Sequence, residues 1–231
     1  MKKLTFSYDD GVTQDIRFIE LLNKYGLKAT FNLNSGCFGS ATRLIRDGRE
    51  IDHIRNNAAD IRAIYEGHEV AAHTLTHPLL PSIADDGEIV RQVEEDRLRL
   101  SELVGYEVVG FAYPGGGQNN DARVAGLIAE RTGVRYARVV ATTGDFTPYP
   151  DIYRFQGSCY HHTEWEKMWQ MAEAFLALPA DTDALFYIWG HSYEFDIYPE
   201  RWEQMEEFCR LVSGRRDISY CTNRQALLGD D

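Results

Sequence analysis

No stretch of this chain stays apolar for the length of a membrane span, and the opening Met1-Lys2-Lys3 reaches Asp9 before a signal-type apolar run develops. The expectation is a soluble, unsecreted, cytoplasmic protein. The four cysteines, Cys37, Cys159, Cys209 and Cys221, are far apart and form no CxxC pair, which excludes a disulfide framework and a zinc ribbon. They read as free thiols of a reducing compartment. Basic residues are outnumbered, 24 Lys and Arg against 36 Asp and Glu, for a net charge of −12. With the acidic residues spread along the chain, a nucleic-acid backbone and an anionic membrane are poor partners, whereas a neutral or cationic small substrate suits. No Pro/Gly/Ser-rich linker and no internal repeat divides residues 1–231, so one domain is expected, and 44% hydrophobic residues suffice for its core.

What is present is alternation. Short β-prone runs, Leu4–Tyr8, Ala29–Leu33, Glu69–Ala72, Val108–Ala112, Tyr136–Val140, Ala184–Trp189 and Ile218–Tyr220, are separated by helical patterns. The helical patterns are Gln14–Tyr25, Ile51–Gly67, Asp86–Val104, Asn120–Thr132, Thr163–Leu178 and Pro199–Ser213. Strand and helix in turn predict an α/β fold with a parallel sheet and right-handed crossovers. Periodicity leaves open whether the sheet is doubly wound or closed into a barrel, but in both the chemistry belongs at the C-terminal ends of the strands.

Few polar residues stand at those ends. Asp9-Asp10-Gly11 follows the first strand, where adjacent side chains diverge, so one carboxylate can bind a metal while the other handles a proton; a turn or helix cap is the plainer reading. His73 and His77 follow the third strand. Four residues apart on an extended strand they would lie about 13 Å from each other, so joint metal binding requires the chain to coil directly after Ala72, as a helical turn would. His191 ends a late strand at the same rim. His53 and His68, on or just after a predicted helix, read as surface residues, and Cys159-Tyr160-His161-His162 is a weaker rival metal cluster because neighbouring ligands rarely converge. Tyr113-Pro114-Gly115-Gly116-Gly117 leaves backbone N–H groups open to a ligand or oxyanion, or is simply a flexible loop.

Taken together, Tyr8-Asp9-Asp10-Gly11, His73-Thr74-Leu75-Thr76-His77-Pro78, Phe111-Ala112-Tyr113-Pro114-Gly115-Gly116 and Trp189-Gly190-His191 resemble the polysaccharide deacetylase family, the carbohydrate esterase family 4 with the NodB homology domain. The resemblance implies a distorted (β/α) barrel of about seven parallel strands and a divalent metal, usually Zn²⁺, with Co²⁺, Ni²⁺, Mn²⁺ and Fe²⁺ as alternatives. It implies metal ligands Asp10, His73 and His77, a general base Asp9, a general acid His191, an oxyanion donor at the Gly115 N–H, and a substrate wall from Tyr113, Pro114 and Trp189. The family pattern Arg-x-Pro-x-Gly has Ala112 here in place of its arginine, and Arg154 is the candidate replacement for orienting the base. The family's acidic, tryptophan-bearing fourth motif has no clear match.

The activity implied is metal-dependent hydrolysis of N- or O-linked acetyl groups on a carbohydrate or small sugar-like molecule, with a small or oligosaccharide substrate as partner. Two alternatives stand beside it: a cyclic amide or ureide hydrolase on the same fold, and a catalytically idle carbohydrate-binding protein, which the missing arginine would permit.

Overall fold

The computed structural model describes residues 1–229. In chain order the elements are β1 (Lys2–Asp9), α1 (Gln14–Lys24), β2 (Ala29–Leu33), β3 (Ala41–Arg46), β4 (Arg49–Ile54), α2 (Ile61–Ile64), β5 (Glu69–Ala72) and α3 (Asp86–Val104). They continue with β6 (Gly110–Ala112), α4 (Ala122–Arg131), β7 (Tyr136–Thr142), β8 (Phe155–Gly157), β9 (Cys159–Tyr160), α5 (Trp165–Ala177), β10 (Ala184–Gly190), α6 (Glu200–Val212), β11 (Ile218–Tyr220) and α7 (Asn223–Leu228). Among the described residues no helix is long and apolar enough to cross a membrane.

The main sheet is parallel throughout and runs β8-β7-β6-β5-β2-β1-β10-β9. Its two ends meet in one segment. Gly157 O accepts from Thr143 N of the β7 side at 2.9 Å, while Ser158 N donates to Tyr187 O of β10 at 2.7 Å. Residues 155–160 therefore act as a single stave with partners on both flanks, and the sheet is a distorted (β/α) barrel of seven staves. β11 extends the edge of β1 below β2, pairing with Lys2–Leu4 where β2 pairs with Phe6–Asp9.

Alternation on β1 separates two environments. Leu4, Phe6 and Tyr8 point outward into the apolar layer under the helices, with Phe18 and Leu22 of α1 and Phe208 of α6. Thr5, Ser7 and Asp9 point inward, where the barrel is polar. Near its lower end Glu69 accepts from Thr30 Oγ1 at 2.6 Å, Tyr136 Oη at 2.9 Å and the Arg224 N–H at 2.9 Å. Gly110 is required beside Tyr136, because a Cβ there would overlap the phenol ring. Near the upper end Arg138 of β7 reaches Asp9, its Nη2 2.5 Å from both carboxylate oxygens.

One predicted element is corrected. Residues 51–67 are not one helix: Ile51 lies in β4, Ala58–Asp60 is a single 3-10 turn, and only Ile61–Ile64 is α-helical. Asp47 and Gly48 both take left-handed backbone (φ 51° and 73°), the geometry of a two-residue type I′ hairpin turn, and β3 and β4 pair around them from Ala41↔Ile54 to Arg46↔Arg49. Cross-strand packing of Leu44 on Ile51 and Thr42 on His53 outweighs helix propensity there.

Arg138 is fully buried and the Asp9 side chain is 4% exposed, so each is the other's compensation in a dry barrel. Arg138→Met is expected to cost about 3–5 kcal/mol of unfolding free energy by leaving Asp9 buried without its cation. Adding Asp9→Asn to that variant should recover part of the loss. Urea denaturation of the two single variants and the double variant measures the coupling; additive losses would show that the pair is not interdependent.

Candidate active and metal site

The upper rim of the barrel collects the ends of β1, β5 and β10 around a cavity of about 810 Å³. Asp9 is the last residue of β1 and keeps its inward direction. Asn32 Nδ2 donates to its Oδ1 at 2.8 Å alongside Arg138. Burial pushes the Asp9 carboxyl up, but Arg138, with His73 and His191, outweighs it and holds the group below the usual carboxylate range.

Asp10 leaves the strand with φ 82°, which turns its side chain away from the barrel axis, and Gly11 follows with φ 67° where an added Cβ would meet Leu33 Cδ2 at 2.8 Å. Its Oδ2 is 3.0 Å from His53 Nε2, and its Oδ1 accepts from Arg55 Nη2 at 3.3 Å. Against the cost of burial, the His53 hydrogen bond and the neighbouring histidines keep Asp10 well below the ordinary carboxylate range. Its Oδ1 also faces His77 Nε2 at 3.6 Å and His73 Nε2 at 3.9 Å.

The chain coils after Ala72 as joint ligation requires, but not through a helical turn. Thr74 and His77 both take left-handed backbone (φ 69° and 61°), and Asn34 Nδ2 donates to the carbonyls of His73 and Thr74 at 2.5 and 2.9 Å. Apart from Asp47 in its hairpin turn, every described non-glycine residue with positive φ is one of these three, Asp10, Thr74 and His77. Strain of this kind persists where surrounding structure fixes it and gathers at functional sites. The two imidazole centroids end 4.9 Å apart.

Asp10, His73 and His77 each offer a ligand atom, all within 4.8 Å of one another. Atoms at about 2.0–2.2 Å from one tetrahedral ion lie about 3.3–3.6 Å apart, so the set needs only a small contraction to hold one. His73 Nδ1 is 2.7 Å from Ala112 O, which fixes the proton on Nδ1 and leaves the Nε2 lone pair toward the site. Burial pulls His73 down to about 4 and lowers His77 as well, so both imidazoles are neutral at neutral pH, the form a metal binds. By donor chemistry and spacing the residues fit a divalent ion.

His191 follows β10 with its Nε2 3.9 Å from Asp9 Oδ2. Its Nδ1 is 3.1 Å from Glu194 Oε1, and its N–H donates to Glu194 Oε2 at 3.0 Å, so the turn Ser192–Asp196 folds its own carboxylate back onto the ring. Glu194 also accepts from the Tyr160 hydroxyl and faces His161 Nε2 at 3.1 Å. Burial alone would lower the His191 pKa; Glu194 first, then Asp9 and Asp10, carry it up to about 9.

Several expectations change. Arg154 does not touch Asp9: it lies on the surface in an ion pair with Asp151 at 2.8 Å, and Arg138 takes the place assigned to it. Arg138 stands in register beside Ala112, so the arginine has moved by one strand while its target is kept. His53 is not a surface residue but sits 5% exposed against Asp10, and His68 is buried at the far end of the barrel between Ala29 N and Asn23 Oδ1. The rival cluster disperses: Cys159 enters the core, His161 is 2.6 Å from the Tyr8 hydroxyl, and His162 pairs with Asp47. Tyr113, Gly115 and Trp189 line the cavity, Trp189 stacked on Tyr160 at 4.1 Å with the Arg138 guanidinium 4.5 Å from its ring. Pro114 is buried and does not line the cavity.

Two of the missed residues carried a signal. An arginine inside the apolar run Tyr136-Ala137-Arg138-Val139-Val140 shares inward parity with Tyr136, and a charge buried there demands a carboxylate. For His53 the signal was Asp47-Gly48 between alternating segments. Glu194 follows a strand end at i+3 and had no comparable mark.

Residues 1–137 match the family model described as polysaccharide deacetylase. Among solved structures, the Xyl-CE4 domain of a multidomain xylanase from the hindgut metagenome of Trinervitermes trinervoides is similar at 16% identity and TM-score 0.60, covering 99% of this chain and 90% of that one. A family 4 acetyl xylan esterase from Clostridium thermocellum, solved with a cobalt ion, is similar at 16% identity and TM-score 0.53 over 98% and 91% of the two chains. The peptidoglycan deacetylase of Bacillus subtilis is similar at 17% identity and TM-score 0.54 over 97% and 89%. No curated protein sequence matches significantly. Matched over more than half of its length and folded as the barrel the match implies, this chain belongs to the polysaccharide deacetylase family.

Proposed function

We propose that the protein is a metal-dependent deacetylase that hydrolyses an acetyl amide or ester on a carbohydrate. The observation that carries this is the separation of Asp9 from Asp10: adjacent in sequence, one belongs to Arg138 and Asn32 inside the barrel and the other to the histidine set outside it. Such a pair supplies a base and a ligand at one rim. Asp10, His73 and His77 would hold a divalent ion, Zn²⁺ by ligand type with Co²⁺ as a competent substitute, supplying a Lewis acid that polarises a carbonyl and acidifies water.

The chain's own residues supply the proton transfers. Asp9, kept ionised and fixed by two donors, accepts the proton of the attacking water. The Gly115 N–H, on the cavity wall, donates to the oxyanion that develops on the former carbonyl. His191, protonated at neutral pH, gives its proton to the departing amine or hydroxyl. With its Nε2 3.9 Å from Asp9 Oδ2, acid and base flank a single reacting carbon. Arg138 also removes the ground for an idle binding protein, since the base does have its guanidinium partner.

Two outcomes test the assignment. Elemental analysis should find one divalent ion per chain in the parent and in Asp9→Asn, and none in His77→Ala, while Asp9→Asn loses about 10²–10⁴-fold in acetate release. Metal missing from Asp9→Asn, or present equally in His77→Ala, contradicts the division of roles.

The second concerns pH. Because Glu194 raises the His191 pKa, the imidazolium is present below that value and lost as pH rises through it, so the alkaline limb of kcat/KM reports its deprotonation. Glu194→Gln should move that limb to lower pH while the acid limb stays; an unmoved alkaline limb would mean that another group carries the proton.

A further inference from the structure

We infer that the hairpin formed by β3 and β4 caps one end of the active-site cleft, so that this enzyme acts on a single acetylated sugar or on the terminal sugar of a chain, and not on internal units of a polymer. The inference rests on the deacetylase reading and adds to it the form of the substrate.

The hairpin is paired along its whole length, from Ala41↔Ile54 to Arg46↔Arg49, and therefore behaves as one stiff element. Its two faces differ. Thr42, Leu44 and Arg46 line the cavity, and Ile51, 4% exposed, packs with Val12, Tyr193 and Ile197. The outer face carries Arg43 paired to Glu50 and Asp52, and Ile45 at 76% exposure.

Both ends of the element are tied down. At its base His53 and Arg55 hold Asp10, and Thr13 N donates to Ile54 O at 2.8 Å. At its tip Asp47 Oδ2 lies 3.3 Å from His162 Nε2 and accepts from the Tyr198 hydroxyl at 3.2 Å. Beside it Arg49 donates to Ile197 O at 2.8 Å and lays its guanidinium 4.9 Å from the Tyr198 ring.

Asp47 and His162 are both cavity-wall residues, the first on the hairpin and the second just beyond β9. Their contact at 3.3 Å joins two walls into a closed end. The sheet order puts β6 across the barrel from β1 and β10, and just beyond it the boundary is Gly115, Gly116 and Gly117, with Thr76 after β5, a wall whose glycines carry no side chains. A sugar whose acetyl group reaches Asp9 and His191 has room to continue on that glycine side. Continuation on the hairpin side would run into Leu44, Arg46 and Asp47.

The experiment uses the metal-loaded full chain with linear N-acetylated glucosamine oligomers from the monomer upward, end-labelled so that mass spectrometry locates each freed amine. Release of acetate from the monomer and from one terminal unit only is expected. Freed amines at internal units at rates comparable to the terminal one would overturn the inference, as would turnover of an aryl acetate with none of any sugar. Absence of acetate release from every substrate would instead sink the deacetylase reading itself. A second variant addresses cause: His162→Ala with Tyr198→Phe removes both side-chain partners of Asp47 at the tip and leaves the left-handed residue at position 47 unchanged. The ratio of internal to terminal deacetylation is expected to rise about tenfold or more, the scale of discrimination that a pocket wall provides. A ratio unchanged in this variant, with the parent confined to chain ends, would show that something other than the hairpin imposes the restriction.

Discussion

Two consecutive carboxylates are buried at the mouth of a barrel, and the site depends on keeping both ionised. Side by side and dry they would repel, and each alone would be pushed toward its neutral form. The fold resolves this by sending them in different directions. Asp9 stays in strand geometry and meets Arg138, while Asp10 takes left-handed backbone and meets His53, Arg55 and the histidine pair. The upper part of the polar barrel interior, through Arg138 and Asn32, receives the first, and the hairpin inserted after β2 receives the second. A cation between Asp10, His73 and His77 would complete the arrangement on the outer side.

Conformational cost is concentrated where this separation is made. Left-handed backbone at Asp10, Thr74 and His77 is unfavourable for non-glycine residues; His53 and Arg55 hold Asp10, Asn34 holds Thr74, and the His77 backbone N–H donates to Thr74 Oγ1 at 3.1 Å. Asn34 fixes the carbonyls of His73 and Thr74, and Asp96 accepts from the His73 N–H at 3.0 Å. Glu194 performs a similar service elsewhere on the same rim, beyond β10, where one buried carboxylate gathers His191, His161 and Tyr160. Preorganisation of this kind places donors and acceptors before a substrate arrives, so little rearrangement accompanies the chemistry.

The sequence made the strand and helix alternation legible because apolar periodicity reports directly on burial: six of the seven staves and most helices lie where it places them, and the seventh expected strand, Ile218–Tyr220, forms at the edge of β1. The rim residues were legible because strand ends concentrate function and because four motifs resemble one family. What stayed hidden depended on contacts between distant segments. Arg138 replaces an arginine expected at position 112, and only the register of β6 on β7 shows that the two positions are neighbours. Arg154 was a plausible substitute by sequence distance and an unsuitable one in space. The helical pattern over residues 51–67 masks His53, although the Asp47-Gly48 turn argues for a hairpin. The closing stave, residues 155–160, is too short and too irregular to show periodicity, since its two halves serve different neighbours.

The division between the two carboxylates is tested most directly by a crystal structure of the zinc-loaded protein with anomalous data at the zinc edge. The account predicts one anomalous peak at about 2.0–2.2 Å from Asp10 and from His73 and His77 Nε2. Asp9 should stay on Arg138 and outside the coordination sphere. A peak coordinated by Asp9, with Arg138 released from it, or a peak elsewhere with the histidines unligated, would contradict the account.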